Sequence, residues 1–574
     1  VNVQAVGTQT GVITDVNGKY SIQVSAGAKL SFSYIGFQTQ TLSVDTGSVL
    51  NVKMSEDAQS LEEVVVIGYG QVTKKDATGA VATLKAGNMN KGAITTPQDM
   101  LTGKVPGLLI VPGDGQPGAG TTIRIRNGSS LSASNSPLIV IDGVPGAQLE
   151  NINPDDIENV TVLKGGAAAA LYGEGARNGV IIYTSKKGKK RKGIGIDLST
   201  SIGYDMLSNM IDLQKSYAAG TNGTVYIAPA QYGADGFPIT GGTNQSWGPL
   251  ISSVSGLKAF DNVKNFYQTG VTSNYNLSLS GGNENGTFRA SFGHLDQTGI
   301  VPNTGLKKTS FNVNSEYKFT EKLKAGADLL YSNTTGLRAQ KGSNSAGIML
   351  SLLRTPASYD LRDYQTEQGY NKNYFSAYDN PFYTVYKNPY KDETNRVIFN
   401  GHINYNYSKW FNALVRAGVD TYTTHAQQNY SYSSNGNSTA DGSGQVIIDT
   451  FTKSLYNFDL VFNGIVDLTD KINLNYSIGG QINSTFYNDQ YTVGSTMLEI
   501  NQYNLSNFTT FTPQNADSKQ IKRGVFGSLE LGLYDQFYLT ATGRNDWNSA
   551  LPKENMSYFY PSVAASWIFN KTLN

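Results

Sequence analysis

From residue 193 onward the chain alternates. Ile194, Ile196, Leu198, Thr200, Ile202 and Tyr204 are interleaved with Gly195, Asp197, Ser199, Ser201 and Gly203. A strand turns successive side chains to opposite faces, so this period of two describes a sheet whose two faces meet different surroundings. The pattern returns in Tyr275, Leu277, Leu279, in Phe288, Ala290, Phe292, in Phe311, Val313, Tyr317, Phe319, and in Leu323, Ala325, Ala327, Leu329, Tyr331. Further runs lie near 396–407, 411–421, 454–468, 472–482, 525–533, 537–544 and 558–569. This makes about twelve strands, most of about 8–12 residues, close to the roughly 9–11 that cross a bilayer at a tilt. Their connections alternate as well. Short turns fall at Gly281–Asn285, Thr320, Ser408–Trp410, Thr469–Lys471 and Tyr534–Gln536, with long polar stretches near 205–274, 295–308, 332–395, 422–453, 483–524 and 545–557. Aromatics gather at strand ends: Tyr204, Tyr317, Phe319, Tyr331, Tyr405, Tyr407, Trp410, Phe411, Tyr534 and Phe537. Short turns at one end, long loops at the other and aromatic girdles are the plan of an outer-membrane barrel. A soluble β-solenoid explains the period but neither of the other two features.

Composition narrows the function. Charged residues are 16% of the chain, against about 25% in an ordinary soluble domain. With 45 Lys and Arg against 44 Asp and Glu the net charge is +1, so no overall field favours nucleic acid. Cysteine is absent, which excludes a disulfide framework, a thiolate nucleophile and Cys-based metal sites. His294, His402 and His425 are scattered and match no zinc spacing, so neither metal nor cofactor is expected. No Ser/His/Asp or paired-carboxylate motif suggests an enzyme. No apolar run approaches the roughly 18 residues of a transmembrane helix, and the first residues show no signal peptide.

Residues 1–54 read as a small β-sandwich. Lys19 to Val24 places Tyr20, Ile22 and Val24 on one face after the turn Val16-Asn17-Gly18, and Leu30, Phe32 and Tyr34 alternate with serines. Val1 already sits in strand-like sequence, which leads us to expect a cut upstream. Residues 55–70 are a polar linker followed by Leu61-Glu62-Glu63-Val64-Val65-Val66-Ile67, a β-branched run that suits either an ordinary strand or a detachable one pairing with a partner's sheet edge. Residues 71–192 turn α/β. Pro97 to Val105 has helical spacing, Leu108 to Val111, Thr122 to Arg126, Pro137 to Ile141, Val160 to Leu163 and Gly179 to Thr184 read as strands, and Gly113 to Gly120 is a tight glycine turn. The turn lacks the G-K-[ST] ending of a phosphate loop. Asn153-Pro154-Asp155-Asp156 opens a helical turn, with carboxylates at its positive end. The basic run from Lys186 to Lys192 marks a domain boundary.

These residues together resemble the SusC-type (SusC/RagA-like) TonB-dependent transporters of the Bacteroidetes outer membrane. Gly18-Lys19-Tyr20-Ser21 and Phe32-Ser33-Tyr34-Ile35-Gly36-Phe37 look like the carboxypeptidase-regulatory-like domain, and Leu61 to Gly70 is similar to the segment holding the TonB box. The resemblance favours the detachable strand. Plug signatures are Gln116-Pro117-Gly118, the strand with Arg124 and Arg126, Pro137 to Val144 with Asp142 and Gly143, Asn153 to Glu158 with Asp155 and Asp156, Val162-Leu163-Lys164, Leu171-Tyr172-Gly173 and Asn178 to Ile181. Ser280 to Asn283, Asp379-Asn380-Pro381 and Tyr560 to Val563 are family-like in the barrel. Asn127, Gly165-Gly166 and Tyr183-Thr184-Ser185 depart from the family pattern.

The fold expected is therefore mainly β: an N-terminal β-sandwich, an α/β plug, then, over 193–574, the first part of an antiparallel transmembrane barrel of about 22 strands. About twelve strands enclose too little space for a plug of over 100 residues, so we expect a fragment truncated at both ends. The resemblance implies import of a large nutrient, an oligosaccharide or a peptide, with no nucleic acid involved. Its implied partners are a SusD-like lipoprotein, outer-membrane lipid and the TonB–ExbB–ExbD complex, with the N-terminal domain and TonB-box segment in the periplasm. A siderophore or cobalamin receptor, and a non-transporting surface barrel or adhesin, are the alternatives. In the loop near 332–395, Tyr359, Tyr378, Asp379, Asn380 and Tyr383 are candidates for contact with substrate or partner, although packing of the loop on itself accounts for most of its tyrosines.

Overall fold

The computed structural model describes residues 1–569 apart from 7, 9, 16–17, 26, 35–38, 45–48, 55–63, 68–69, 74–80, 127, 129, 165–171, 236, 341–344 and 437–442; for Val64–Ile67 and Gly70–Thr73 it describes the backbone. Leu61, Glu62 and Glu63 of the TonB-box-like segment lie outside the described residues, as do Asn127, Gly165-Gly166 and Leu171.

At the N-terminus, Gly11–Ile13, Asn2–Ala5, Lys29–Ser33 and Gln40–Ser43 form a four-stranded sheet in that order. Val3, Ala5, Leu30 and Phe32 are its buried face. Lys19 to Val24, expected as a strand, joins no ladder. Its alternation is still used: Tyr20, Ile22 and Val24 pack against that face with Leu50 and Val52, and the Tyr20 hydroxyl donates to the Leu50 carbonyl at 2.9 Å.

The plug is built on a five-stranded sheet ordered Val144–Pro145, Leu138–Ile141, Val180–Ser185, Ile157–Leu163 and Val81–Lys85. Leu138–Ile141 runs parallel to Val180–Ser185, and the other pairings are antiparallel. A separate hairpin pairs Leu108–Pro112 with Thr121–Ile125 around the glycine turn, closed by the Gly113 amide donating to the Gly120 carbonyl at 2.8 Å. The helical spacing of Pro97 to Val105 yields one 3-10 turn, Asp99–Leu101. Met100, Leu101 and Val105 are buried as the spacing requires, but the segment ends against Gly103 at φ 73° and has no room for a second turn. Val64–Ile67 pairs with Gly70–Thr73 in a two-stranded ladder of its own.

Twelve strands, from Arg191–Asp205 to Ser557–Trp567, form one antiparallel meander in sequence order. Its faces invert the order of a soluble protein. Asn276, Arg289, Asn312, Asp328, Asp420 and Asp459 are buried on the inner face, while Leu277, Phe292, Phe311, Leu329, Phe399 and Phe458 stand exposed on the outer one. At the short turns the aromatics touch: Tyr317 and Phe319 at 5.0 Å, Tyr407 and Trp410 at 5.9 Å, and Phe537 stacked on Trp567 at 5.8 Å. The strands are longer than expected. Gln445–Thr469 has 25 residues, and Ile472–Met497 and Phe508–Leu533 have 26 each. The polar stretches near 422–453 and 483–524 are therefore mostly strand. Threonine, serine and tyrosine extend a ladder well, and here hydroxyls couple across it: Thr421 to Ser454 at 2.7 Å, Thr423 to Thr452 and Thr394 to Thr424 at 2.8 Å.

Candidate functional site

The plug lies against the inner face of the meander, and the seam between them carries the chemistry. It begins at the turn Asp142-Gly143, which joins Ile141 to Val144 in register. Both turn residues have positive φ, 47° and 91°, the geometry of a two-residue type I′ hairpin that Asp-Gly favours. A Cβ on Gly143 would fall 2.1 Å from the Arg416 guanidinium, so the turn also needs glycine for that approach. One Asp142 carboxylate oxygen accepts from the Ser185 amide at 2.9 Å, and the Asp142 carbonyl accepts from Asn400 at 2.7 Å. Ser185 Oγ accepts in turn from Asn314, whose amide also reaches Asp328 at 2.8 Å. Burial, and then the Asp328 carboxylate, push Asp142 up to about 6, against the Ser185 amide and Lys187, which pull it down.

The second contact is the helical turn. Asn153 caps it, accepting from the Asp155 amide at 3.1 Å. The turn is 3-10 over Pro154–Asp156. Its carboxylates face the wall: Asp155 accepts from Asn274 at 3.1 Å, and Asp156 pairs with Arg289 at 2.8 Å and accepts from Ser291 at 2.7 Å. Both members of the Asp156–Arg289 pair are at most 5% exposed. A buried pair contributes little net stability, but removing one partner costs about 3–5 kcal/mol because the other charge stays buried.

Elsewhere the wall grips plug carbonyls. Lys308 Nζ donates to the carbonyls of Thr95, Glu150 and Ile152 at 2.9, 3.0 and 3.3 Å. Arg396 holds Asp420 with two bonds of 2.8 and 2.7 Å and gives its remaining nitrogen to the Gln148 carbonyl at 2.7 Å. Arg338, paired with Asp392, donates to the Gly118 carbonyl at 3.0 Å, and Gln116 accepts from the Ala339 amide at 3.2 Å. The Gln-Pro-Gly apex of the plug is thus seated where a wall strand passes into its long loop.

The other plug-motif residues do different work. Arg124 and Arg126 are exposed on one face of the Thr121–Ile125 hairpin, with Arg126 at φ 59°. Lys164 donates to the Pro106 carbonyl; burial and the nearby Arg126 lower its ammonium below the usual range. Tyr172 packs with Val140, Leu163, Ala176, Val180 and Ile182. Asn178 donates to the Ser134 carbonyl at 2.8 Å.

In the long loop, Asp379 is buried and accepts from Ser434, the Asn435 amide and Asn388 at 2.5, 2.7 and 3.1 Å. Burial pushes it up to about 6, against those donors. Asn380 caps the helix Pro381–Lys387 through the Phe382 amide at 2.9 Å. Tyr383 donates to the Tyr432 carbonyl at 2.9 Å, and Tyr359 to the Asp363 carbonyl at 2.7 Å. All four are buried, Tyr359 and Asn380 within their own loop and Asp379 and Tyr383 against residues 431–435 of the next one, while Tyr378 receives Arg354 over its ring at 5.6 Å. Missing from the sequence-derived candidates are the wall residues Arg289, Lys308, Arg338, Arg396 and Arg416. Each is a cation on the inward parity of its strand, which the alternation could have placed on the lumen side, but the plug atom it meets leaves no trace in that pattern.

Residues 73–180 match the TonB-dependent Receptor Plug Domain, and residues 1–66 match the CarboxypepD_reg-like domain. The TonB-dependent receptor SusC of Bacteroides thetaiotaomicron is 31% identical over 99% of this chain, and the TonB-dependent receptor P26 of Formosa agariphila is 27% identical over 98%. The chain spans 56% of the length of both relatives. The RagAB peptide importer in its open-open state superposes with a TM-score of 0.70 at 22% identity, over 89% of this chain and 59% of that one. The chain is thus SusC-like over nearly its whole length, with the plug of a TonB-dependent receptor set against a β-barrel wall.

Proposed function

We propose that this chain forms the plug and part of the barrel of an importer that carries a large nutrient, an oligosaccharide or a peptide, across the bacterial outer membrane. One observation carries the reading: the plug is fastened to the inner wall at many points, yet its edge strand Val81–Lys85 leads back to the strand segment Val64–Ile67. A partner that adds a strand to that segment can pull on the plug without touching the barrel. In this reading the TonB–ExbB–ExbD complex supplies the pull and a SusD-like lipoprotein caps the long-loop end. The first domain and the pulled segment face the periplasm. Transport makes and breaks no covalent bond, and the work falls to hydrogen bonds and ion pairs along the seam. Deletion of Leu61 to Ile67 is expected to leave substrate binding intact and abolish uptake; uptake at the undeleted rate refutes the coupling.

A further inference from the structure

Where the Asp142-Gly143 turn meets the wall, oxygen atoms gather. Asn314, Asp328 and Asn400 stand opposite one another on three adjacent strands, all on the inward face and none more than 7% exposed. The plug closes over this row. Asn400 donates to the Asp142 carbonyl at 2.7 Å, and Asn314 donates to Ser185 Oγ at 3.1 Å and to Asp328 Oδ1 at 2.8 Å. Ser185 gives its amide to the Asp142 carboxylate at 2.9 Å. The two carboxylates are thus linked through Ser185 and Asn314, near enough for their charges to oppose each other. These bonds use up the donors and leave acceptors. Asp328 Oδ2, Asn314 Oδ1 and Asn400 Oδ1 are shut from solvent and accept no hydrogen bond. The Lys187 ammonium stands 4.0 Å from Asp328 Oδ2, past hydrogen-bond reach, on a side chain that is 38% exposed. Arg416, beside the turn, is held by Asp459, and Glu316 and His402, one inward row nearer the short turns, face each other at 3.9 Å.

We propose that this oxygen cluster is a calcium site that clasps the plug turn to the wall. Carboxylate and amide oxygens, with no nitrogen or sulfur among them, are the ligands of a hard cation. The lack of cysteine and of a histidine spacing excludes zinc and leaves this chemistry open. Asp142 from the plug and Asp328 from the wall match a divalent charge. The amide oxygens of Asn314 and Asn400 add neutral ligands, and water fills the rest of the shell. Calcium accepts so uneven a set, whereas magnesium demands a near-ideal octahedron and gives up its water reluctantly. A lone water has only two donors for three bare oxygens, and it brings no charge to offset the carboxylates. In calcium-free buffer a proton on Asp142 takes the ion's place. Because the ligands come from both bodies, the ion fastens one to the other.

The test is equilibrium binding of radioactive calcium by the full-length receptor, purified in detergent, stripped with EDTA and held at neutral pH. A site with a Kd of about 0.1–1 mM is expected, the range of extracellular calcium modules. Asp328→Asn and Asp142→Asn are each expected to weaken that site about tenfold or more, while calcium bound elsewhere on the receptor stays. Magnesium at equal concentration is expected to leave the calcium in place. Calcium should raise the unfolding temperature of the parent protein and of neither variant. Both substitutions keep the shape of the side chain, and either alone carries the comparison if the other fails to fold. Glu284→Gln, at an exposed short turn, is expected to change nothing. The proposal is overturned if calcium binds with the same stoichiometry and affinity in the parent and both variants, or if it leaves the parent's unfolding temperature unchanged. It is overturned equally if acid stabilises the parent and no calcium binds, a shared proton then being the occupant.

Discussion

Tension on Val64–Ile67 reaches Val81–Lys85 first. That strand lies at the sheet edge and is held through five opposed residue pairs with Ile157–Leu163. At about 0.5–1.5 kcal/mol net per hydrogen bond, this hold is a few kcal/mol. Beyond it stand the grip of Lys308 on the Thr95 carbonyl and the buried Asp156–Arg289 pair, which costs about 3–5 kcal/mol to break. The edge strand therefore yields first and the extension halts near Thr95. About 28 residues separate Ile67 from Thr95, so the first release is about 95 Å at roughly 3.4 Å per residue. Thr83 and Thr161 face each other with hydroxyls 3.2 Å apart, close enough for a disulfide between substituted cysteines. The chain has no cysteine of its own, so Thr83→Cys with Thr161→Cys makes a single defined bridge. Single-molecule pulling from the linker is expected to show the first release falling from about 95 Å to about 55 Å when the bridge forms, and recovering on reduction. Uptake in cells should stop in the oxidised variant and return with reductant. A bridged receptor that imports at the unbridged rate refutes the order argued here, as does a first release of roughly 400 Å, the length of the whole plug drawn out at once.

Three further outcomes follow from the seam. Arg396→Ala strands the buried Asp420 carboxylate, so thermal unfolding should show a loss of about 3–5 kcal/mol, largely recovered in Arg396→Met with Asp420→Asn. Gly143→Ala adds a Cβ at φ 91° against Arg416; about 1–3 kcal/mol of strain should appear as faster proteolysis of the plug, with the barrel unchanged. Asp142 is raised to about 6, so the folded plug holds that proton more tightly than the unfolded chain does. Its seat should gain stability as pH falls from about 7 through 6 toward 4 and lose it as pH rises through 6; Asp142→Asn should flatten that protease-resistance profile.

Period two and turn chemistry carried most of the architecture. The alternation from Ile194 to Tyr204 lies within Arg191–Asp205, and the Asp-Gly pair after Ile141 is the hairpin its φ angles require. Strand length was less legible because Thr-, Ser- and Tyr-rich segments resemble loops in composition, and only cross-strand hydroxyl pairs such as Thr423 with Thr452 reveal that they are ladder. Pro97 to Val105 shows the opposite failure: helical spacing placed its apolar residues correctly, while the glycine after Thr102 limited it to one turn. The plug half of the seam was readable, since Asp142, Asn153, Asp155 and Asp156 carry local signals. The wall half was not, because Arg396 meets Gln148 from 248 residues away, and no local pattern records that meeting.

Four of the wall's guanidiniums are neutralised within the wall itself. Arg396 has Asp420, Arg416 has Asp459, Arg338 has Asp392 and Arg544 has Asp546, each from the barrel's own strands. Three of those partners lie on the neighbouring strand, and the plug for the most part offers only carbonyls. A plug segment drawn aside therefore leaves matched charges behind at those four sites, whereas Arg289 and Lys308, held by the plug's own Asp156 and carbonyls, stand bare until it returns. In the importer proposed above, a passing solute meets a lining that is mostly self-neutralised, and the plug returns to a wall that needs re-pairing at those two cations.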